Sequence, residues 1–108
     1  MQLPQFKAHE EAEGRHWWFL ARVSILLALL KELVPTGKDT LVLDVGCGTG
    51  GNAAALTPHY RVIGIDPIAE AIESAKERFP DAEFLCGYAP EDIPEQMREA
   101  DVVLLMDV

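Results

Sequence analysis

A chain of 108 residues holds one domain at most, and at that size it buries a smaller share of its surface than a larger chain does, so its core is thin. Apolar residues make up 49% and charged residues 25%, with no repeat, low-complexity tract or Gly/Ser-rich linker, which excludes a disordered chain. A formal charge of -9 repels a phosphate backbone and argues against a nucleic-acid partner, while Cys47 and Cys86, far apart and without a CxxC pattern, indicate neither a zinc site nor a disulfide framework.

The opening stretch "MQLPQFKAHEEAEG" has acids where a signal peptide carries basic residues, and the apolar run "SILLALL" is too short to span a bilayer. Neither export nor membrane insertion is expected, and a reducing cytoplasm suits the cysteines. From about Glu11 to Val34, Phe19, Val23, Leu26, Leu30 and Leu33 recur at spacings of three and four, which predicts a helix ended by "PTG" at Pro35 to Gly37. Ile25 and Leu29 lie off that stripe, so the helix is expected to be buried on more than one side, covering a sheet.

Four strands are then predicted in a regular rhythm: Leu41 to Val45, Arg61 to Ile65, Glu83 to Cys86, and Asp101 to Met106, each separated by a segment that can be helical. Short runs such as "VVLLM" suit strands covered on both faces, and right-handed crossovers turn this βαβαβαβ order into a Rossmann-like, doubly wound parallel sheet of the α/β class. The helix from Pro67 to Phe79 has Asp66 as its expected cap, Pro67 in its first turn, Ile68, Ile72, Ala75 and Phe79 on its inner face, and Pro80 as its stop. A run made for the middle of a sheet stands at the end of the chain, so only the N-terminal half of such a fold is expected here. Residues 1–108 then form one partial domain, with a helical segment over 1–37 and a cofactor-binding half over 38–108, and the uncovered sheet edge offers a route to self-association.

Between the first two strands lies "LDVGCGTGG", in which Gly46, Gly48 and Gly51 satisfy G-x-G-x-x-G, with Asp66 about 20 residues further on. Glycines let the backbone turn sharply and let a ligand approach where a Cβ would collide. Such a turn at the carboxyl end of a strand, followed by an acid at the tip of the next, suits an adenine nucleoside cofactor, with Asp66 accepting from the ribose hydroxyls. A dinucleotide such as NAD and S-adenosylmethionine both fit that outline. Asp44 separates them, because a carboxylate inside an apolar strand beside the turn repels a pyrophosphate and attracts an ammonium or sulfonium cation.

With these residues in place, "LDVGCGTG" resembles the first motif of class I S-adenosylmethionine-dependent methyltransferases, "GIDP" resembles their acidic second-strand motif, and "EGRHWWFLAR" the N-terminal helix of a subset of that family. The resemblance implies that Gly46 and Gly48 line the methionine part of the cofactor through backbone, in a cofactor-binding turn that includes Cys47 and Gly50, that Asp44 orients the turn or the ammonium group, and that Asp66 holds the ribose. It also implies that Ile65 or Pro67 flanks the adenine, and that Arg22, one turn from Trp18, pairs with the methionine carboxylate. Where similar proteins often place an aspartate facing the adenine amine, this chain has Tyr88 in "CGYAPED", leaving the adenine contact to Ala89 N–H, Glu91 or Asp92.

Plainer roles stand beside these. Asp44 as a buried structural acid, Asp66 as a helix cap, Trp17, Trp18 and Phe19 as packing aromatics, and Arg22 in a surface ion pair each account for the residue alone. His16 and His59 are expected to be solvated, Cys47 to be a small residue between close backbones, and the acids of "PEDIPEQMREA" to be the wet face of a short helix. The resemblance implies methyl transfer to a small-molecule acceptor, with no catalytic base identified, no metal, and Asp107 as the first residue of the loop approaching the methyl group. An NAD-dependent oxidoreductase, or a non-enzymatic module associating through its sheet edge, are the alternatives.

Overall fold

Short apolar runs broken by glycine, proline and polar turns give each strand two faces to bury, and a parallel sheet is the arrangement that covers both. The structure, a computed structural model, describes residues 3–95 and 99–106, with side chains from residue 15 onward. In chain order it contains α1 (Leu3–Leu33), β1 (Gly37–Val45), α2 (Gly51–Leu56), β2 (Tyr60–Asp66), α3 (Ala69–Arg78), β3 (Glu83–Cys86) and β4 (Val102–Leu104). The strands form one parallel sheet in the order β3-β2-β1-β4, so the chain winds outward from β1 through β2 to β3 and then crosses back to the other side of β1. This is the predicted Rossmann-like α/β fold, and the reversal places a topological switch point at the carboxyl end of β1, where open α/β sheets take their ligands.

The chain divides into two compact units, Met1–Leu33 and Val34–Val108. The first is α1 alone, a 31-residue helix that begins well before the predicted Glu11. Leu30 is buried, but Leu33, placed on the inner stripe by its spacing, is exposed, as are Ile25 and Leu29. Periodicity counts apolar positions, but it does not show how much apolar surface the fold supplies to cover them.

In the second unit, side-chain alternation sends Val42, Val62 and Phe84 to one face of the sheet, where α2 contributes Ala53 and Leu56 and α3 contributes Ile72 and Ala75, all buried. Leu41, Leu43 and Ile63 form the core of the other face, with Ile93 and Ala100 packed against them. Burying each large aliphatic side chain is worth about 1.5–3 kcal/mol, so these two thin layers carry most of the sheet's stability. At the amino ends of the strands, Leu41 N–H donates to Asp101 Oδ2 at 2.8 Å and Asp101 N–H returns to Leu41 O at 2.9 Å, tying β1 to the approach of β4.

Three local expectations change. The helix after β2 starts at Ala69 rather than Pro67, its N-cap position is Ile68 with no side-chain cap, and Ile68 is 60% exposed instead of lining the inner face. Pro67 has no N–H, so the Asp66 carboxylate meets the next one, Ile68 N–H, in a tight turn that precedes the helix. β4 is shorter than predicted, and Val103 and Leu105 are exposed, so one face of this strand is open. His59 is half-buried rather than solvated, because its carbonyl accepts from Gly37 N–H at 2.7 Å and fixes it against β1. Gln96 to Arg98, inside the segment predicted as a short acidic helix, and Asp107, predicted to begin the loop approaching the methyl group, lie outside the described residues. Among the described residues no helix is long and apolar enough to cross a membrane.

Candidate functional site

β1 ends at Val45 and the chain must reverse into α2 within five residues, which demands left-handed backbone. Gly46, Gly48 and Gly50 supply it with φ of +74°, +57° and +87°, and no other residue type among those described has positive φ. The turn hangs from the end of β2: Gly46 and Cys47 N–H both donate to Ile65 O, at 2.8 and 3.1 Å, and Gly48 N–H donates to Asp66 Oδ2 at 3.0 Å. Gly50 N–H closes the turn on Cys47 O at 3.0 Å.

The glycines differ in what surrounds them. A Cβ on Gly48 would meet nothing within 4 Å, so this part of the turn faces open space. A Cβ on Gly50 would lie 2.5 Å from Phe84 Cζ, so there the backbone is in contact with a ring. One glycine leaves room for a ligand, and the other makes room for the core.

Asp66 is 7% exposed and acts as a hub. Its Oδ2 accepts from Gly48, its Oδ1 accepts from Ile68 N–H at 2.9 Å, and its carbonyl accepts from Gly87 N–H at 3.0 Å. The end of β2 thus joins the turn after β1, the approach to α3 and the turn after β3. Each carboxylate oxygen retains a further acceptor position beyond these bonds.

Asp44 is 2% exposed, level with Gly64 of β2 and Leu104 of β4. Burial, then the charge of Asp44, then that of Asp66 push the Cys47 thiol up to about 12. The thiol therefore keeps its proton at neutral pH and is no nucleophile, in line with a small spacer residue. The charges of Asp44 and Asp66 thus both reach the sulfur within the turn.

The turn after β3 closes on itself. Tyr88 N–H donates to Asp92 Oδ2 and Asp92 N–H to Tyr88 O, both at 2.8 Å, and a Cβ on Gly87 would lie 2.6 Å from Asp92 Cβ. One oxygen of Asp92 is thus committed to its own turn. Tyr88 is 65% exposed, Glu91 and Pro67 are exposed, and Ala89 is half-buried. Among the predicted site residues, the fold gathers Asp44, Gly46, Cys47, Gly48, Gly50 and Asp66 at the carboxyl ends of β1 and β2, with Pro67, Tyr88 and Ala89 on the turns that follow β2 and β3. Trp18 and Arg22 stand on α1, in the first unit, where Trp18 is exposed and Arg22 half-buried.

Two residues at this end of the sheet had not been singled out. Phe84 underlies the glycine turn, a placement that depends on strand register. Asn52, the polar residue of "GNAAAL", is buried with its Oδ1 lacking a hydrogen-bond partner among the described residues. A groove of about 270 Å³ lined by Thr57, Arg78, Phe79 and Asp81 lies at the carboxyl ends of α2 and α3, away from the turn. Among the described residues no group of three or more His, Cys, Asp or Glu side chains is arranged to hold a metal ion.

This geometry has counterparts in known proteins. Residues 42–108 match a family model described as a methyltransferase domain. An uncharacterized RNA methyltransferase of Clostridium tetani is 33% identical over 86 residues, covering 74% of this chain and 19% of the relative. A trans-aconitate 2-methyltransferase of Paracidovorax citrulli is 40% identical over 65 residues, covering 54% of this chain and 25% of the relative. A TehB-like S-adenosylmethionine-dependent methyltransferase of Corynebacterium glutamicum superposes with a TM-score of 0.50 at 29% identity, covering 75% of this chain and 46% of the other. The chain thus spans a quarter or less of these curated relatives and under half of the solved one. With the family model matching from inside β1 to the last residue, over the glycine turn and the acid of β2, the chain belongs to the class I S-adenosylmethionine-dependent methyltransferases.

Proposed function

We propose that residues 1–108 supply the cofactor half of a methyltransferase domain, binding S-adenosylmethionine at the glycine turn and presenting its methyl group to a small-molecule acceptor. The observation that carries this reading is the open, side-chain-free turn at Gly48, hung from β2 and flanked by the buried carboxylates of Asp44 and Asp66. Open space at Gly48 fits a ligand at van der Waals distance from backbone. Burial first, then the charges of Asp44 and Asp66, keep the proton on Cys47, and two carboxylates beside the turn suit a sulfonium or an ammonium better than the pyrophosphate of NAD.

When bound, the cofactor supplies an electrophilic methyl carbon on a sulfonium, displaced in line by the acceptor's nucleophilic atom. The residues of this chain bind and align. The N–H bonds of Gly46, Cys47 and Gly48 to β2 hold the turn rigid before the ligand arrives, which lowers the ordering cost of binding. Asp66 uses its remaining acceptor positions for the ribose hydroxyls, and Asp44 favours the amino-acid end. Gly50 shapes the turn, Cys47 spaces it, and Pro67, Tyr88 and Ala89 form the adenine side. Asp92 gives one oxygen to Tyr88 N–H and keeps the other as an acceptor, so the adenine amine is left to Glu91 or Asp92. On α1, Trp18 and Arg22 belong to the HWWF-type motif, and the guanidinium fork of Arg22 suits a carboxylate such as that of methionine. The net charge of -9 supports a small acceptor over a nucleic acid, although one relative carries an RNA methyltransferase name and another a trans-aconitate one.

Calorimetric titration of the full-length protein with S-adenosylhomocysteine tests the reading. Saturable binding that disappears in Asp66→Ala is expected, and an absence of binding to the unmodified protein rejects it. A labelled-methyl assay offered RNA and small carboxylic acids side by side tests the acceptor class, with transfer to RNA alone overturning the small-molecule assignment.

A further inference from the structure

Phe84 is the second residue of β3 and stands level with Gly64 in the β2–β3 register. Its ring lies across that glycine: a Cβ on Gly64 would sit 2.9 Å from Phe84 Cδ1 and 2.9 Å from Cys47 Sγ. The far edge of the ring reaches under the glycine turn, where a Cβ on Gly50 would sit 2.5 Å from Cζ, and Ala75 of α3 would lie 3.1 Å from that same position. Phe84 is 9% exposed. Gly50 and Gly64 thus face the ring, and Ala75 and Cys47 stand beside the same two positions, four of the smallest side chains, leaving a socket for one aromatic ring.

The hydrogen bonds that hang the turn on β2 act at Gly46, Cys47 and Gly48. Gly50, which is also the residue preceding the first turn of α2, makes two local bonds, its N–H donating to Cys47 O at 3.0 Å and its carbonyl accepting from Ala54 N–H at 2.9 Å, so the ring supports the part of the turn that the bonds to β2 do not reach. We infer that Phe84 is a positioning residue for the glycine turn: from β3, and without ligand contact of its own, it fixes the height of Gly50 and the start of α2, and so keeps the turn in its ligand-ready shape. A ring held on three sides transmits this constraint because packed interiors resist small displacements. For cofactor affinity the inference rests on the proposed function, whereas its effect on turn order does not.

The test compares Phe84→Leu with Ile63→Val, a core truncation on the opposite face of the sheet, in the full-length protein. Two quantities are read at matched loss of melting temperature: amide hydrogen exchange at Gly50 and Gly51, and S-adenosylhomocysteine affinity by calorimetry. Phe84→Leu is expected to speed exchange at the turn and to weaken affinity on the order of tenfold, as loss of preorganisation does. Ile63→Val is expected to change neither, and Phe84→Met, long enough to refill the socket, to restore most of both. Equal behaviour of Phe84→Leu and Ile63→Val in both readouts overturns the inference. Should the unmodified protein bind no S-adenosylhomocysteine, the functional reading falls and the exchange comparison alone decides the role of Phe84. Should Phe84→Leu fail to fold, Phe84→Ile takes its place in the comparison with Ile63→Val, and turn exchange no faster than in Ile63→Val is the overturning result.

Discussion

Two turns leave the same edge of the sheet, one after β1 and one after β3, and they solve opposite problems. The turn after β3 spends a side chain on itself: Asp92 bonds Tyr88 N–H and its own N–H returns to Tyr88 O, so the loop is closed and self-supporting. The turn after β1 uses little of its own side chains, with only the Cys47 thiol donating to Gly48 O at 3.7 Å among the described residues. It borrows its support from β2 through Ile65 O and Asp66, and from β3 through Phe84, and so keeps its outer side clear at Gly48. A loop meant to receive a ligand has to be rigid without filling its own space, and support from neighbouring strands meets both requirements.

The sharpest way to break the comparison is to place a methyl group at each end of the first turn. Gly50→Ala puts a Cβ into the Phe84 ring at a left-handed φ, and together strain and overpacking are expected to cost about 2–5 kcal/mol, measured by urea unfolding. Gly48→Ala meets no neighbour, so only the backbone term of about 1–2 kcal/mol is expected, yet it is expected to abolish S-adenosylhomocysteine binding by occupying the ligand's space. Equal stability costs, or intact binding in Gly48→Ala, would remove the distinction between the two glycines.

Asp66→Asn comes next in size. An amide offers one acceptor where two backbone N–H groups converge, so either Gly48 or Ile68 N–H loses its partner, and a cost of about 1–3 kcal/mol is expected in thermal melts. Asp92→Ala acts on the exposed, self-closed turn and is expected to cost about 0.5–1.5 kcal/mol, with cofactor affinity changed less than by Asp66→Asn. An affinity loss as large as that of Asp66→Asn would make the second turn part of the ligand's support.

The smallest effect is in pH dependence. Folding raises the Cys47 thiol from 9.0 to about 12, so an unfolded chain releases this proton first. The associated stability is complete below pH 9 and is lost as pH rises from 9 toward 12. Unfolding measured at pH 8 and pH 10 is expected to show a steeper loss in the parent than in Cys47→Ala, and equal slopes would show that the thiol titrates normally.

Much of this was legible along the chain. The strands β1, β2 and β3 follow from short apolar runs, and Asp44, the glycine turn and Asp66 follow from their spacing, since each is a local pattern. What joins them was not legible. That Asp66 gives one oxygen to Gly48 and the other to Ile68, that Asp92 serves Tyr88, and that Phe84 fills the space beside Gly50 and Gly64 all depend on strand order and register. Exposure of Ile25, Leu29 and Leu33 on α1 was hidden for a related reason, since periodicity describes a helix without its surroundings.

The central claim is that two buried carboxylates and a bare turn select an adenosyl sulfonium over a dinucleotide. Competition calorimetry on the full-length protein addresses it directly: S-adenosylmethionine is expected to saturate the site while NAD at millimolar concentration leaves it free, and displacement of S-adenosylmethionine by NAD would contradict the account.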